Sequence, residues 1–119
     1  MDNKEIATVL LDISRILELK DENIFKIRAY QNAARSLEGI GEEVHDLIAQ
    51  GTLKEVPGIG KAIAEKIEEL DRTGKLQYFE DLKSEFPSTL FQLFRIPNLG
   101  PKKIRRLYED LGIQGVRDL

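Results

Sequence analysis

Val56-Pro57-Gly58-Ile59-Gly60-Lys61-Ala62-Ile63-Ala64-Glu65-Lys66 decides how this chain is read. Two glycines flank one isoleucine, and a helical pattern starts directly behind them. Glycine takes backbone angles closed to other residues and lets another group come close. Pro57 stiffens the approach to the turn. Ile59, Ile63, Ile67 and Leu70 then recur at helical spacing. A helix that starts on such a loop has bare N–H groups at its first turn, and bare N–H groups attract anions, phosphate above all.

Forty residues on, Ile96-Pro97-Asn98-Leu99-Gly100-Pro101 repeats Val56-Pro57-Gly58-Ile59-Gly60-Lys61. Pro97 matches Pro57, Leu99 matches Ile59 and Gly100 matches Gly60. Asn98 replaces Gly58, and Asn is among the residues that best tolerate positive φ. A helix with Ile104, Leu107 and Leu111 as its apolar stripe follows. Each turn sits between a short helix and a longer one, which makes two helix-hairpin-helix units. One copy is equally a plain connection between antiparallel helices. Two copies with basic neighbours predict two grips on a phosphate chain. Gly58, Gly60 and Lys61 offer the amides of the first, and Asn98 and Gly100 mark the second. Loop carbonyls turned inward can also hold a monovalent cation that bridges to the phosphate.

At 119 residues the chain makes one domain, or two small helical lobes sharing a boundary. It has no Cys, so disulfides and thiolate metal sites are excluded. A single His leaves little for a histidine-built metal site or triad. No apolar run resembles a signal peptide or membrane span, so the expectation is a cytoplasmic, nucleoid-associated chain with no membrane partner.

Net charge is −3, which by itself disfavours a nucleic-acid partner, but the charges are unevenly spread. Lys26, Arg28 and Arg35 lie between Asn23 and Leu37 with no acid. Arg95, Lys102, Lys103, Arg105 and Arg106 lie between Arg95 and Tyr108, again with no acid. Exposed charges are screened beyond roughly 8–10 Å. Local basic patches therefore matter more to a bound phosphate than the global sum.

The periodicity predicts an all-α fold. Asp2 or Asn3 caps a first helix with Ile6, Val9, Leu10, Ile13, Ile16 and Leu17 inward. A second helix runs from about Ile24 to Leu37, and Gly39 ends it. A short third spans Glu42 to Gln50. The first hairpin leads to a fourth helix, stopped by Gly74. Leu76, Phe79, Leu82 and Phe86 mark a fifth, and Leu90, Phe91, Leu93 and Phe94 a short sixth. The second hairpin and a seventh helix end at Gly112. Ile113 to Leu119 read as the start of a further element. The expected lobes are 1–86, with the first hairpin, and 87–119, with the second.

Gly58-Ile59-Gly60, Ile63-Ala64-Glu65-Lys66-Ile67 and Thr73-Gly74-Lys75-Leu76 together resemble the N-terminal lobe of family X DNA polymerases, the polymerase beta-like group. Phe25-Lys26-Ile27-Arg28-Ala29-Tyr30 with Ala33-Ala34 resembles the second helix of that lobe. Ile96 to Leu111 resembles the second hairpin in the adjacent subdomain. The bacterial and archaeal branch is the most similar. The resemblance implies a DNA-gripping region of a gap-filling repair polymerase, whose small lobe takes the 5′-phosphate of a gap.

By position, the resemblance places Lys26, Tyr30 and Lys54 around that phosphate. It places cation-holding carbonyls, for Na⁺ or K⁺, at Lys54, Val56 and Ile59 and at Phe94, Ile96 and Leu99. Mg²⁺ would belong only to a polymerase domain absent from this sequence, which carries no Asp-x-Asp pair. Ala62 and Tyr78 stand where better-known members carry pocket lysines; Lys61 and Lys75 are near in sequence.

Lys66 matches the lysine that in some members attacks the deoxyribose aldehyde of an abasic site. That reaction needs a neutral amine, obtained by desolvation or by crowding with other cations. Lys26, Lys54 and Lys61 are candidates to crowd it. The plainer readings of Lys66 are a DNA contact, a stem laid over apolar surface or a partner for Glu69. Lys102, Arg105 and Arg106 can share a helix face away from Ile104, and with Lys103 they are expected to meet phosphates. Tyr30 and Phe25 are candidate base-stacking rings, Phe25 the more exposed. His45, Glu42, Glu43 and Asp46 read as solvated surface.

Three functions follow as expectations: sequence-independent binding of gapped, 5′-phosphorylated DNA by a monomer, a deoxyribose-phosphate lyase using Lys66, or a protein-docking module built on the same hairpins.

Overall fold

The structure is a computed structural model and describes residues 1–112; Ile113–Leu119 lie outside the described residues. Helix α1 (Asn3–Leu19) begins with a reciprocal cap. The Asp2 carboxylate accepts from the Glu5 amide at 2.8 Å, and the Glu5 carboxylate accepts from the Asp2 amide at 3.4 Å. Helix α2 (Ile24–Gly39) is capped by Asn23, whose side chain accepts from Phe25 N at 2.7 Å. The two pack face to face over Ile6, Leu10, Ile13 and Leu17 on one side and Ile27, Ala33, Ala34 and Leu37 on the other, all buried. Ala33 and Ala34 carry almost no side chain, so α1 can come close.

Helix α3 (Val44–Gln50) starts two residues later than the periodicity suggested, because Asn3 reaches across to fix its start. The Asn3 side chain accepts from Val44 N at 2.8 Å and donates to the Glu42 carbonyl at 2.7 Å. Gly39 is the last helical residue of α2 rather than the first one past it, and Ile40, extended, is the cap. Helices α4 (Lys61–Thr73) and α5 (Gln77–Ser84) complete the first core through Ile63, Ala64, Ile67, Leu70, Leu76 and Leu82.

The short sixth helix expected at Leu90–Phe94 is a 3₁₀ run, Ser88–Arg95, followed by α6 (Pro101–Leu111). Leu90, Leu93 and Ile104 form a second buried cluster, and its fourth member is Leu19, the last residue of α1. Two ion pairs flank that junction: Lys20–Glu85 at 3.0 Å and Arg105–Asp21 at 3.2 Å. Phe86 meets Tyr108 edge-on at 5.8 Å. Two cores set end to end explain the long dimension of 49 Å against 26 and 22 Å. No described helix is long and apolar enough to cross a membrane.

His45 is exposed, as expected, and also bridges α3 to α4: its Nδ1 lies 2.9 Å from the Asp71 carboxylate. That bond raises the imidazole pKa above its usual 6.5. A group raised on folding stabilises below its unfolded pKa and loses that contribution as pH rises through the folded one. Thermal melts of wild type and His45→Gln should therefore differ slightly at about pH 5.5 and coincide at about pH 9. Equal melting at both pH values would show that the pair contributes nothing.

Candidate nucleic-acid interface

The two hairpins repeat each other bond for bond. In the first, Val56 N donates to Leu53 O at 3.2 Å, Ile59 N to Val56 O at 3.1 Å, and Ala64 N to Gly60 O at 2.9 Å. In the second, Ile96 N donates to Leu93 O at 3.1 Å, Leu99 N to Ile96 O at 3.2 Å, and Ile104 N to Gly100 O at 3.1 Å. Between those bonds, the amides of Gly58, Gly60 and Lys61 have no protein acceptor among the described residues. Neither helix start carries a side-chain cap. An uncapped first turn keeps its N–H groups, and the positive end of the helix dipole, available to an outside anion. Pro101 at the head of α6 leaves the second cradle with one donor fewer.

The two uses of glycine named from the sequence, backbone freedom and close approach, fall on different residues. Gly58 has φ +88° and Asn98 has φ +65°, so this position alone requires left-handed backbone. Gly58 is also pinned against α2: Ser36 Oγ donates to the Pro57 carbonyl at 2.6 Å, and an added Cβ would sit 3.2 Å from that oxygen. Gly60 and Gly100 are ordinary extended residues, with φ −86° and −78°. A Cβ on either would meet nothing within 4 Å. Their missing side chains keep open the space in front of the amides.

The same turns strand their carbonyls. The 3₁₀ segments Leu53–Glu55 and Ser88–Arg95 bond a carbonyl to the amide three residues on, and three residues after Lys54 and Phe94 come Pro57 and Pro97, which have no N–H. The carbonyls of Lys54 and Ile59, and of Phe94 and Leu99, have no donor among the described residues. Val56 and Ile96 carbonyls each accept one amide and keep a second lone pair. Such all-oxygen, neutral donor sets fit a hard monovalent cation.

Beside the first hairpin lies a cleft of about 410 Å³, lined by Lys26 and Tyr30 from α2, Gly58 and Gly60, Lys61 and Lys66 from α4, and Tyr78 from α5. No acid lines it. Tyr78 fills the place where the resemblance implies a lysine, and it organises the others. Lys66 Nζ stands 4.8 Å from its ring centroid and Lys26 Nζ 5.7 Å, so two ammonium groups share one aromatic ring. Lys66 is half-buried and forms no ion pair with Glu69, whose carboxylate instead accepts from Gln77 N at 2.8 Å.

Tyr30 is 4% exposed and stacks on Tyr78 with centroids 6.3 Å apart, so it walls the cleft rather than offering a face to a base. Burial, then the neighbouring Tyr78 phenol, raises its pKa well above the usual range. The Tyr78 hydroxyl is buried with no hydrogen-bond partner among the described residues. Phe25 is 74% exposed at the head of α2 and is the free aromatic. Lys54 and Lys75 are exposed but do not line the cleft.

Around the second hairpin, Lys102, Lys103 and Arg106 are exposed. Lys103 Nζ donates to the Asn98 carbonyl at 3.3 Å. Arg105 does not join them. It pairs with Asp21 at 3.2 Å and with Glu109 at 3.1 Å, which raises its pKa further and fixes it to the junction.

A fold of two hairpins with bare amides and flanking lysines defines a class, and comparison agrees: a helix-hairpin-helix domain model matches residues 1–76, and a SAM-like helix-hairpin-helix tandem model matches residues 51–112. The chain belongs to the helix-hairpin-helix domain family. Over all 119 residues it is 35% identical to the N-terminal part of the DNA polymerase/3′-5′ exonuclease PolX of Bacillus subtilis (strain 168), of which it spans 20%. The resemblance to family X polymerases thus extends along the whole chain.

The two glycines separate by experiment. Gly58→Ala forces left-handed alanine against Ser36 and should cost about 1–3 kcal/mol of stability. Gly60→Ala should leave the melting curve unchanged, measured by circular dichroism. A destabilised Gly60→Ala would refute the division drawn above.

Proposed function

We propose that this chain is a DNA-gripping module of a family X polymerase that holds gapped, 5′-phosphorylated DNA without reading its sequence. The observation that carries the reading is the doubled hairpin: the same three hydrogen bonds, the same left-handed residue, and unpaired amides beside a cleft whose charged side chains are all lysines. Phosphates would meet the amides of Gly58, Gly60 and Lys61 and the ammonium groups of Lys26, Lys61 and Lys66. Lys102, Lys103 and Arg106 would meet the other strand segment at the second hairpin. These contacts lie on the backbone of DNA, so they position it without specifying sequence.

A monovalent cation, Na⁺ or K⁺, would be held by the carbonyls of Lys54, Val56 and Ile59 and by those of Phe94, Ile96 and Leu99. It would supply positive charge next to the phosphate. Phe25, exposed at the head of α2, would stack on an unpaired base. The module acts as a monomer, and its place would be the nucleoid.

Titration of one duplex series tests this: intact, nicked and gapped, with and without the 5′-phosphate. Gapped, phosphorylated DNA should bind tightest, and binding should fall by about tenfold or more between roughly 50 and 200 mM salt. Gly60→Ala should weaken it by about tenfold, the worth of one charge-assisted hydrogen bond. Affinity that ignores salt, phosphate and Gly60 would sink the proposal and favour a protein-docking role.

The lyase reading uses the same cleft and is separable. Borohydride trapping on incised abasic DNA should give little adduct, because alanine and tyrosine stand at two positions that carry lysine in better-known members. An abundant adduct lost in Lys66→Ala would instead assign lyase chemistry to Lys66.

A further inference from the structure

A second cleft, of about 270 Å³, lies where the two cores meet, on surface that the hairpin amides do not use. Its apolar walls are Phe79 of α5 and Phe91 and Phe94 of the 3₁₀ run. All three rings are only half-buried, although they belong to a molecule with little apolar surface to spare. Phe91 and Phe94 stack with centroids 6.1 Å apart and planes 13° from parallel. They form a layered edge on which another flat ring can continue.

The polar groups around these rings are of two kinds. Asp12 and Arg15, from α1, form one wall and pair at 3.0 Å. Burial raises the Asp12 carboxyl pKa despite the Arg15 guanidinium beside it, so this acid is partly withdrawn from water. Lys83 lies over Phe79 at 4.4 Å. Arg95, at the cleft's rim, is exposed and has no partner among the described residues.

Flat apolar faces, an acceptor beside them and an unpaired cation at the rim describe a narrow ligand class: an aromatic ring with N–H donors on its edge and an anion attached. The volume lies just below the roughly 300–1,000 Å³ of drug-sized sites, so the cleft takes one ring system and leaves the anion at its mouth. The 3₁₀ run that supplies Phe91, Phe94 and Arg95 leads directly into the second hairpin. Arg95 and Gly100 are at most about 17 Å apart along the chain. A strand held at the hairpin is therefore within reach of the cleft's mouth.

We propose that this cleft receives an unpaired nucleobase of the strand held by the second hairpin, stacked on the phenylalanines, with its amino edge on Asp12 and its phosphate on Arg95. The proposal rests on the DNA-gripping reading. It adds a preference that the hairpins lack. Cytosine offers a carboxylate its exocyclic amine, whereas thymine presents a carbonyl there.

Three DNAs test it: a nicked duplex, and duplexes whose single-stranded gap is all cytidine or all thymidine. Wild type should bind the cytidine gap more tightly than the thymidine gap, by about fivefold or more. Phe91→Leu should reduce affinity for both gapped DNAs by about fivefold or more while leaving nicked-duplex binding unchanged. Arg95→Gln, on an exposed side chain of the basic run, should weaken gapped-DNA binding clearly more than nicked-duplex binding. Asp12→Ala should erase the cytidine preference. Equal binding of both gaps by wild type overturns the proposal. So does gapped-DNA affinity unaffected by Phe91→Leu and Arg95→Gln, or an equal loss on nicked and gapped DNA, which would mark the cleft as structural. Failure of wild type to bind even nicked duplex is a different result: it removes the hairpin reading, and this one with it.

Discussion

Hydrogen bonding inside a folded chain is nearly complete, and this chain departs from that rule at two turns. A buried amide or carbonyl without a partner is costly, so orphaned groups must sit at the surface. Here proline and glycine create the orphans together. Pro57 and Pro97 withhold the amides that would satisfy the carbonyls of Lys54 and Phe94, while Gly60 and Gly100 begin helices with no side-chain cap. Each turn is left with carbonyl oxygens and N–H groups that the described residues do not use, and the remaining architecture leaves Gly58, Gly60, Asn98 and Gly100 exposed.

That architecture consists of two small cores. The first is broad, with α1 and α2 forming its base and α4 and α5 closing it over Ile67 and Leu70. The second has four buried residues and would be very small without Leu19. Charge also follows this division. Arg105, which sits in the basic run by sequence, is spent on Asp21 and Glu109 at the junction, leaving Lys102, Lys103 and Arg106 for outside partners.

Most of the helices could be read from periodicity, because the stripes Ile6–Leu17 and Ile63–Leu70 have the spacing of one buried face. The repeat of Val56–Lys61 at Ile96–Pro101 likewise gave both hairpins, down to the residue with positive φ. What sequence could not supply was side-chain geometry across elements. Nothing near His45 in sequence points to Asp71, and nothing near Ser36 points to the Pro57 carbonyl, 21 residues away. Tyr78 read as a lost lysine; only the packing of α5 against α2 and α4 turns its ring into the platform for Lys26 and Lys66. Tyr30 satisfied both a core and a binding pattern, and burial decided for the cleft wall. Which of glycine's two uses applies at Gly60 was not legible, because composition cannot separate backbone freedom from the need for an empty space.

Leu19 has one more consequence. It ends α1, a 17-residue helix that spans the first core, yet its side chain is buried in the second. A continuous helix is a stiff rod, about 1.5 Å per residue, so the two cores, each packed against the isoleucine or leucine of its own turn, share one strut rather than a flexible linker.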